Sequence, residues 1–596
     1  MRRCGLCASL ALVLMGFAAA PVPAASACRL TKFVELPVTM VGLRPMVAVK
    51  LNGTDAVLIA DSGSSYSTLT PAIAAELKLP LRMVSPDFYI VGVGGAASVS
   101  LATVKTLSLA GYPLRDRSFL VGGGEPGNGA AGLLGQDVLH AADVEYDLAH
   151  GRIDLIRAEG CGDRPLAYWD ASQAYGVVDL YRSPIPVQGP APLTSGDAFI
   201  GSARIRVLFD SGASTSLLTL RAAERAGVKP NDPGVVPAGF SRGLGRTSVQ
   251  TWIATFPSFK IGDGEEIQHA RLRIGAVRLS DFDMLLGADF FLSHHIYVAN
   301  SQHKLYFTYN GGPVFDLSSG PPEAGAASAS AADHAQPADE PTDAEGFSRR
   351  GSASAARGDF EHAIADFSRA CELKADEPRY FYERSEAYLS NQQPQLALAD
   401  LDRALMLKPD YVAAHLLRAH LRITAKDSAG AAADLDAVDR AAAKEADVRL
   451  QLGRMYELVA HWPQALSQYD LWIAVHADDA RLAFALSERC WVRALTGSEL
   501  DRALKDCNAA LRRGPEEPLF LEHRALVQLR RGELDRALKD YDAALKLKPQ
   551  SAWALYGRGL AKQRKGMKSQ GQSDLAAAIA LEPGLPEEFR RIGLGP

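Results

Sequence analysis

Between Ala344 and Pro583 the chain repeats with a period of 34 residues, and no other feature constrains its fold as tightly. A unit of that length cannot bury a hydrophobic face alone and must stack on copies of itself. The marker is a small residue, a bulky one four positions on, then another small residue and often a proline. It runs Ala363/Phe367/Ala370, Ala397/Leu401/Ala404/Pro409, Ala431/Leu435, Ala465/Tyr469, Ala503/Cys507/Ala510/Pro515, Ala537/Tyr541/Ala544/Pro549 and Gly571/Leu575/Ala578/Pro583. The first positions are spaced 34, 34, 34, 38, 34 and 34 residues apart. Small residues let two helices approach, bulky ones fill the space between them, and proline stops the second helix. The spacing predicts seven helix–turn–helix units over residues 344–586. Trp491, Val438 and Trp472 stand where a small residue is expected, so those units are expected to pack irregularly. Ahead of the array, residues 317–343 are rich in Ala, Pro, Ser and Asp without apolar periodicity and read as a flexible linker.

A second repetition lies upstream. Residues 28 to about 316 carry short apolar runs broken by Gly, Pro and Asn, a β-rich pattern. Met46–Leu51 and Ala56–Ile59, separated by Asn52-Gly53, predict a hairpin that runs into Asp61-Ser62-Gly63-Ser64-Ser65. Further on, Ile205–Phe209 runs into Asp210-Ser211-Gly212-Ala213-Ser214. Leu133-Leu134-Gly135 follows the first Asp by 74 residues to its Gly, and Leu285-Leu286-Gly287 follows the second by 77. Between each pair lies a glycine-rich hairpin tip, with Gly92, Gly94 and Gly95 in the first copy and Gly243 and Gly245 in the second. A strand–turn–strand follows each second landmark, Val144–Ile156 and Ile296–Phe307. Four landmarks in one order at near-equal spacing indicate an internal duplication, with lobes at 28–162 and 163–316.

The array resembles the tetratricopeptide repeat, and the duplicated half resembles the retropepsin-like and pepsin-like aspartic proteases. The chain is thus expected to be multidomain, with duplicated all-β aspartic-protease-like lobes followed by an all-α tetratricopeptide-repeat solenoid. The second resemblance makes Asp61 and Asp210 the catalytic pair of an aspartic-type endopeptidase. It assigns Ser62 and Ser211 to lock the two loops by hydroxyl-to-backbone bonds, and Gly63 and Gly212 to the tight turns. Ser65 and Ser214 become candidates to hydrogen-bond the carboxylates, the five tip glycines become flaps, and Tyr89 or Phe240 becomes a flap aromatic. Two carboxylates in contact share one proton, so the ionised one activates water while the protonated one polarises the peptide carbonyl. Neither cofactor nor metal is required. The repeat resemblance implies a groove for a protein partner or peptide. The alternative is a protease-like domain and repeat array without activity, scaffolding envelope proteins. Whether the lobes pair within one chain or between two chains is open at this level.

Composition trims the remaining classes. A net charge of −5 over 596 residues argues against a dedicated nucleic-acid or polybasic membrane binder. The N-terminus reads as a signal peptide over 1–27: Arg2 and Arg3, an apolar run including Leu10–Phe17, and Ala25-Ser26-Ala27 as the cleavage site. The implied location is periplasmic or secreted, with membrane association only if Cys28 is lipidated. Five cysteines remain after such cleavage. Cys28 and Cys161 bracket the first lobe and suggest a staple, while Cys490 and Cys507 fall on facing helix positions, as a bridge or as two buried thiols. Gly92-Val93-Gly94-Gly95-Ala96-Ala97 fits a dinucleotide pattern, but a strand-like stretch follows where a helix is needed. His294-His295 has no metal-ligand neighbour at motif spacing and suits a packing or surface role.

Overall fold

The Asn52-Gly53 turn forms as expected: both residues adopt positive φ (52° and 90°), and strands Pro45–Leu51 and Thr54–Ala60 pair antiparallel through Leu51 and Thr54. The computed structural model describes residues 28–595, except 86–87, 94, 123–125, 127–128, 171–173, 182–191, 242, 244–248, 278, 280, 312–313, 316–340, 445, 478, 480 and 515–516. The expected signal peptide and nearly all of the expected linker lie outside the described residues.

Each lobe is built on one device. In the first, strand Gly132–Leu134 lies parallel to Thr54–Ala60 and antiparallel to Thr68–Leu69. In the second, Met284–Leu286 lies parallel to Ala203–Phe209 and antiparallel to Leu217–Thr219. Both braces end on a glycine that lets the chain pass close to the aspartate loop. A Cβ on Gly135 would sit 2.7 Å from Tyr66 O, and one on Gly287 2.8 Å from Ala213 O. Two matched polar pairs hold the geometry: Ser67 Oγ donates to Asp137 Oδ1 at 2.7 Å, and Ser216 Oγ donates to Asp289 Oδ1 at 2.7 Å.

The lobes join within the chain. A continuous sheet runs Gly176–Asp179, Lys304–Tyr309, His294–Ala299, Asp143–Asp147, Arg152–Glu159, Arg29–Met40. Its central ladder pairs the two copies of the strand–turn–strand, Val144 with Val298 and Tyr146 with Ile296. This resolves the choice left open above in favour of intramolecular pairing. His294 and His295 begin the second lobe's central strand and are buried, which excludes the surface role. Each sits 2.6 Å from a carboxylate, Glu265 for His294 and Glu145 for His295. Cys28 and Cys161 form a disulfide where Arg29 pairs with Glu159, closing the sheet's outer end. That bond uses the sulfur a lipid thioether would need, so the two states exclude each other.

Among the described residues the second half is seven antiparallel helix pairs, from Ala344–Ala356 with Phe360–Leu373 to Ala552–Arg564 with Lys568–Leu581. Starts are set locally: Asp343 accepts from Gly346 N, Asp427 from Gly430 N and Ser551 from Ala554 N, while Pro378, Pro394 and Pro518 occupy first-turn positions. The marker residues on the second helices are buried, and small residues opposite admit them. A Cβ on Gly453 would meet the Tyr469 ring at 2.7 Å, and one on Gly557 the Tyr541 ring at 2.3 Å. The irregular units settle by stacking. Trp472 is fully buried against His476 with ring centroids 4.2 Å apart, and Trp491 stacks on His523 at 4.5 Å. Cys490 and Cys507 form the bridge between the helices of the fifth pair. A further helix, Leu585–Arg591, covers the end of the stack with Phe589 against Trp553 and Tyr556.

The two halves touch. Ser352 Oγ on the first helix of the array accepts from Met40 N at 3.2 Å, and Ala353 is part of the hydrophobic core of the lobes.

Candidate active site

Asp61 and Asp210 each follow the last residue of a central strand, and each takes a backbone bond from its brace. Asp61 N donates to Leu134 O at 2.9 Å, and Asp210 N to Leu286 O at 2.8 Å. The serines that follow lock the loops to each other. Ser62 Oγ donates to Phe209 O at 2.8 Å and accepts from Ser211 N at 2.9 Å. Ser211 Oγ donates to Ala60 O at 2.8 Å and accepts from Ser62 N at 3.0 Å. Four buried hydrogen bonds related by a pseudo-twofold thus cross between loops 149 residues apart in sequence, and each hydroxyl is used as both donor and acceptor.

This lock brings the carboxyl groups of Asp61 and Asp210 into hydrogen-bond contact. Gly63 and Gly212 leave the space: a Cβ on Gly63 would fall 2.2 Å from Asp210 Cγ, and one on Gly212 2.3 Å from Asp61 Cγ. Gly63 N donates to Asp61 Oδ1 at 2.9 Å, while Gly212 N and Ala213 N donate to Asp210 Oδ1 at 3.1 and 2.9 Å. Burial, then the charge of Asp210, push the Asp61 carboxyl well above the ordinary range. Burial also raises Asp210, opposed by the bond from Asp61 and by the backbone donors. Two carboxyl groups so placed can share one proton and titrate as a unit.

Ser65 and Ser214 line the cleft, but among the described residues neither hydrogen-bonds a carboxylate. The backbone amides at the turns occupy that role, which corrects the expectation from sequence. Gln136, unremarked in sequence, does more. Its Nε2 donates to Ser62 O at 2.9 Å and to Thr194 Oγ1 at 3.2 Å, tying the first loop to the second lobe. Its only sequence signal was adjacency to the brace glycine.

The first glycine-rich hairpin pairs Tyr89–Gly92 with the strand Gly95–Leu109, with Gly92 opposite Gly95. The second pairs Val236–Ser241 with Val249–Thr255. Gly94, Gly245 and the Phe240 side chain lie outside the described residues. The tips converge: a Cβ on Gly243 would be 3.0 Å from Val93 Cβ. Tyr89 is exposed on the first hairpin and lines the cleft, so of the two aromatics it is the one seen facing the space above the dyad.

One cavity of about 2290 Å³ runs from the dyad to the inner face of the helical array. On one side it is lined by Asp61, Asp210 and Tyr89, on the other by Leu416, Phe484 and Glu488. It is roughly two- to eightfold larger than the about 300–1,000 Å³ of a small-molecule pocket.

Two carboxyl groups in contact, on loops cross-locked by hydroxyls and roofed by paired hairpins, define an aspartic-protease-like unit, here continuous with a helical repeat array. Comparison with known proteins agrees for both halves. Residues 47–138 and 197–290 match the aspartyl protease family model in tandem, and residues 526–566 match a tetratricopeptide repeat model. No curated protein matches the chain. Solved structures align over the helical half. A tetratricopeptide repeat protein from Parabacteroides merdae is 16% identical, covering 42% of this chain and 98% of that one with a TM-score of 0.33. PilF of Pseudomonas aeruginosa is 16% identical, covering 36% and 96% with a TM-score of 0.27. YrrB, described as a repeat protein with an unusual peptide-binding site, is 16% identical, covering 38% and 96% with a TM-score of 0.21.

Proposed function

We propose that this protein is an exported aspartic endopeptidase, periplasmic or secreted, whose repeat array engages the polypeptide it cleaves. The observation that carries the reading is the contact between Asp61 and Asp210 on cross-locked loops. In this reading the ionised carboxylate takes a proton from a water as it attacks the scissile carbonyl. The protonated partner donates to the carbonyl oxygen, the proton gained by the base then passes to the leaving amine, and the gem-diol returns a proton to the partner as the C–N bond breaks. Atoms and charge balance without a covalent intermediate. Export is supported by the signal-like N-terminus and by two disulfides, which persist in oxidising compartments.

The test is cleavage of a mixed peptide library between pH 3 and 7 by the parent, Asp61→Asn and Asp210→Asn proteins. Each substitution removes a dyad member and should lower kcat/KM by at least about 10²-fold, the lower end of what general acid–base groups contribute. Cleavage that survives either change would end the proposal. Peptide binding without cleavage in the parent would favour the inactive scaffold.

A further inference from the structure

Glu488 lies on the helix Leu482–Thr496, faces the cavity shared with the dyad, and is only 8% exposed. Among the described residues it has no hydrogen-bond or ion-pair partner. A buried carboxylate without a partner is costly and must take up either a proton or a cation. Burial pushes it up to about 7, so near neutrality little energy separates its protonated and ionised forms. One helix pair earlier, Glu457 lines the same cavity, accepts from Tyr469 Oη, and is raised well above its usual range by burial and by the charge of Glu488. Arg454, which lines the same cavity, lowers both carboxyls but reaches neither within 4.0 Å among the described residues. Its guanidinium instead lies over the Phe484 ring, 5.2 Å from the centroid. Two half-buried acidic residues of the cavity wall, Asp447 and Asp479, are matched by Arg481 at 2.6 and 2.7 Å, whereas Glu517 stands exposed to solvent. The Glu457–Glu488 pair thus places two interacting carboxyl groups, without an ion-pair partner among the described residues, in a cavity walled by Phe484 and open to the space above the two aspartates.

We propose that Glu457 and Glu488 form a cation-binding subsite of the catalytic cavity that takes the Lys or Arg side chain of an extended peptide. This rests on the peptidase reading for what the peptide is there to do. The geometry suits the ligand: the methylene stem lies along Phe484 and Met455 while the charged head reaches the carboxylates. An entering ammonium or guanidinium replaces the missing partner with charge-assisted hydrogen bonds.

The experiment measures binding in the full chain carrying Asp61→Asn and Asp210→Asn, so that cleavage does not interfere. The probes are fluorescein-labelled, N-acetylated dodecapeptides of Ala, Leu and Ser with one central Lys or one central norleucine. The Lys probe should bind about tenfold or more tightly than the norleucine probe, the scale of one charge-assisted bond. Adding Glu488→Gln or Glu457→Gln should shrink that preference, and adding both should erase it while norleucine binding stays constant, which shows that the fold is kept. Equal affinities before those changes, a preference that survives both, or binding of neither probe overturns the subsite. A norleucine probe with a free amino terminus that binds as tightly as the Lys probe overturns the side-chain assignment. The same Lys peptide offered to the parent separates the two readings. Glutamate-dependent Lys preference without cleavage leaves the subsite standing and removes the peptidase.

Discussion

At the scale of single residues, the two aspartate loops show how much chemistry short side chains can fix. Ser62 and Ser211 each satisfy a carbonyl and an amide of the opposite loop, so neither loop completes its hydrogen bonds alone. The pH dependence follows from the pair they hold together. In the proposed mechanism activity needs one proton on the dyad. It is lost on the acid side when both carboxyls are protonated and on the alkaline side when both are ionised. Because burial and the neighbouring charge raise Asp61, the alkaline limb lies above the ordinary Asp value of about 3.9. A kcat/KM profile from pH 3 to 8 should therefore be a bell whose upper limb falls above that value, and two limbs both below it would contradict the assignment. Asp61, Asp210 and both serines were legible in sequence because the duplication printed them twice. Gln136 was not, because the second copy has Ala288 at the equivalent place and no repetition marked it. Ser65 and Ser214 were misread because sequence shows a hydroxyl near a carboxylate, whereas turn geometry sends backbone amides to it first.

At the scale of elements, the helix boundaries could be read from the period, but the charges that staple each pair could not. Arg350 with Asp366, Arg384 with Asp400, Arg418 with Asp434, Arg489 with Asp506, Arg524 with Asp540 and Arg558 with Asp574 join the first helix of a pair to the second. Most are bidentate forks; in the sixth pair Arg524 Nε and Nη2 donate to the two oxygens of Asp540 at 2.7 and 2.8 Å. In sequence such residues look like solvated helix faces, because spacing gives no account of depth. The fourth pair breaks the ladder with Leu452 and Gln468, and there Arg449 donates to Gln468 Oε1 at 2.7 Å instead. Removing one member of a buried pair strands the other, whereas replacing both by apolar groups is often near neutral. Asp540→Ala should therefore cost about 3–5 kcal/mol in the sixth pair, and Arg524→Met with Asp540→Leu should recover most of it. Hydrogen exchange of the helices Pro518–Arg530 and Leu534–Leu547 reads both. A double variant no more stable than the single one would show that the ladder stabilises in its own right.

At the scale of the whole molecule, the decisive relation is one no periodicity encodes. The first helix of the array docks on the lobes through Ser352 and Ala353, and the concave face of the array then lies across the cavity from the dyad. Nothing in the sequence of Ala344–Ala356 distinguishes its docking face from that of its sister helices, since an alanine and a serine serve packing anywhere. The consequence for a peptidase is selection by shape: an extended chain can thread between the lobes and the array, whereas a loop held on a folded domain must bring the domain with it. One cleavable sequence offered as a free peptide and within a surface loop of a folded host protein should therefore differ in kcat/KM by about tenfold or more, at 1.36 kcal/mol of barrier per factor of ten. An open cleft would cut both at similar rates. Ala353→Glu places an unpaired charge in the shared core, a cost of several kcal/mol that undocking the first helix relieves. If the array is what excludes the host domain, this variant should raise cleavage of the loop toward that of the free peptide while leaving the free peptide's rate nearly unchanged. Equal discrimination before and after undocking would place the selection in the paired hairpins over the dyad, which also stand between the two aspartates and an approaching domain.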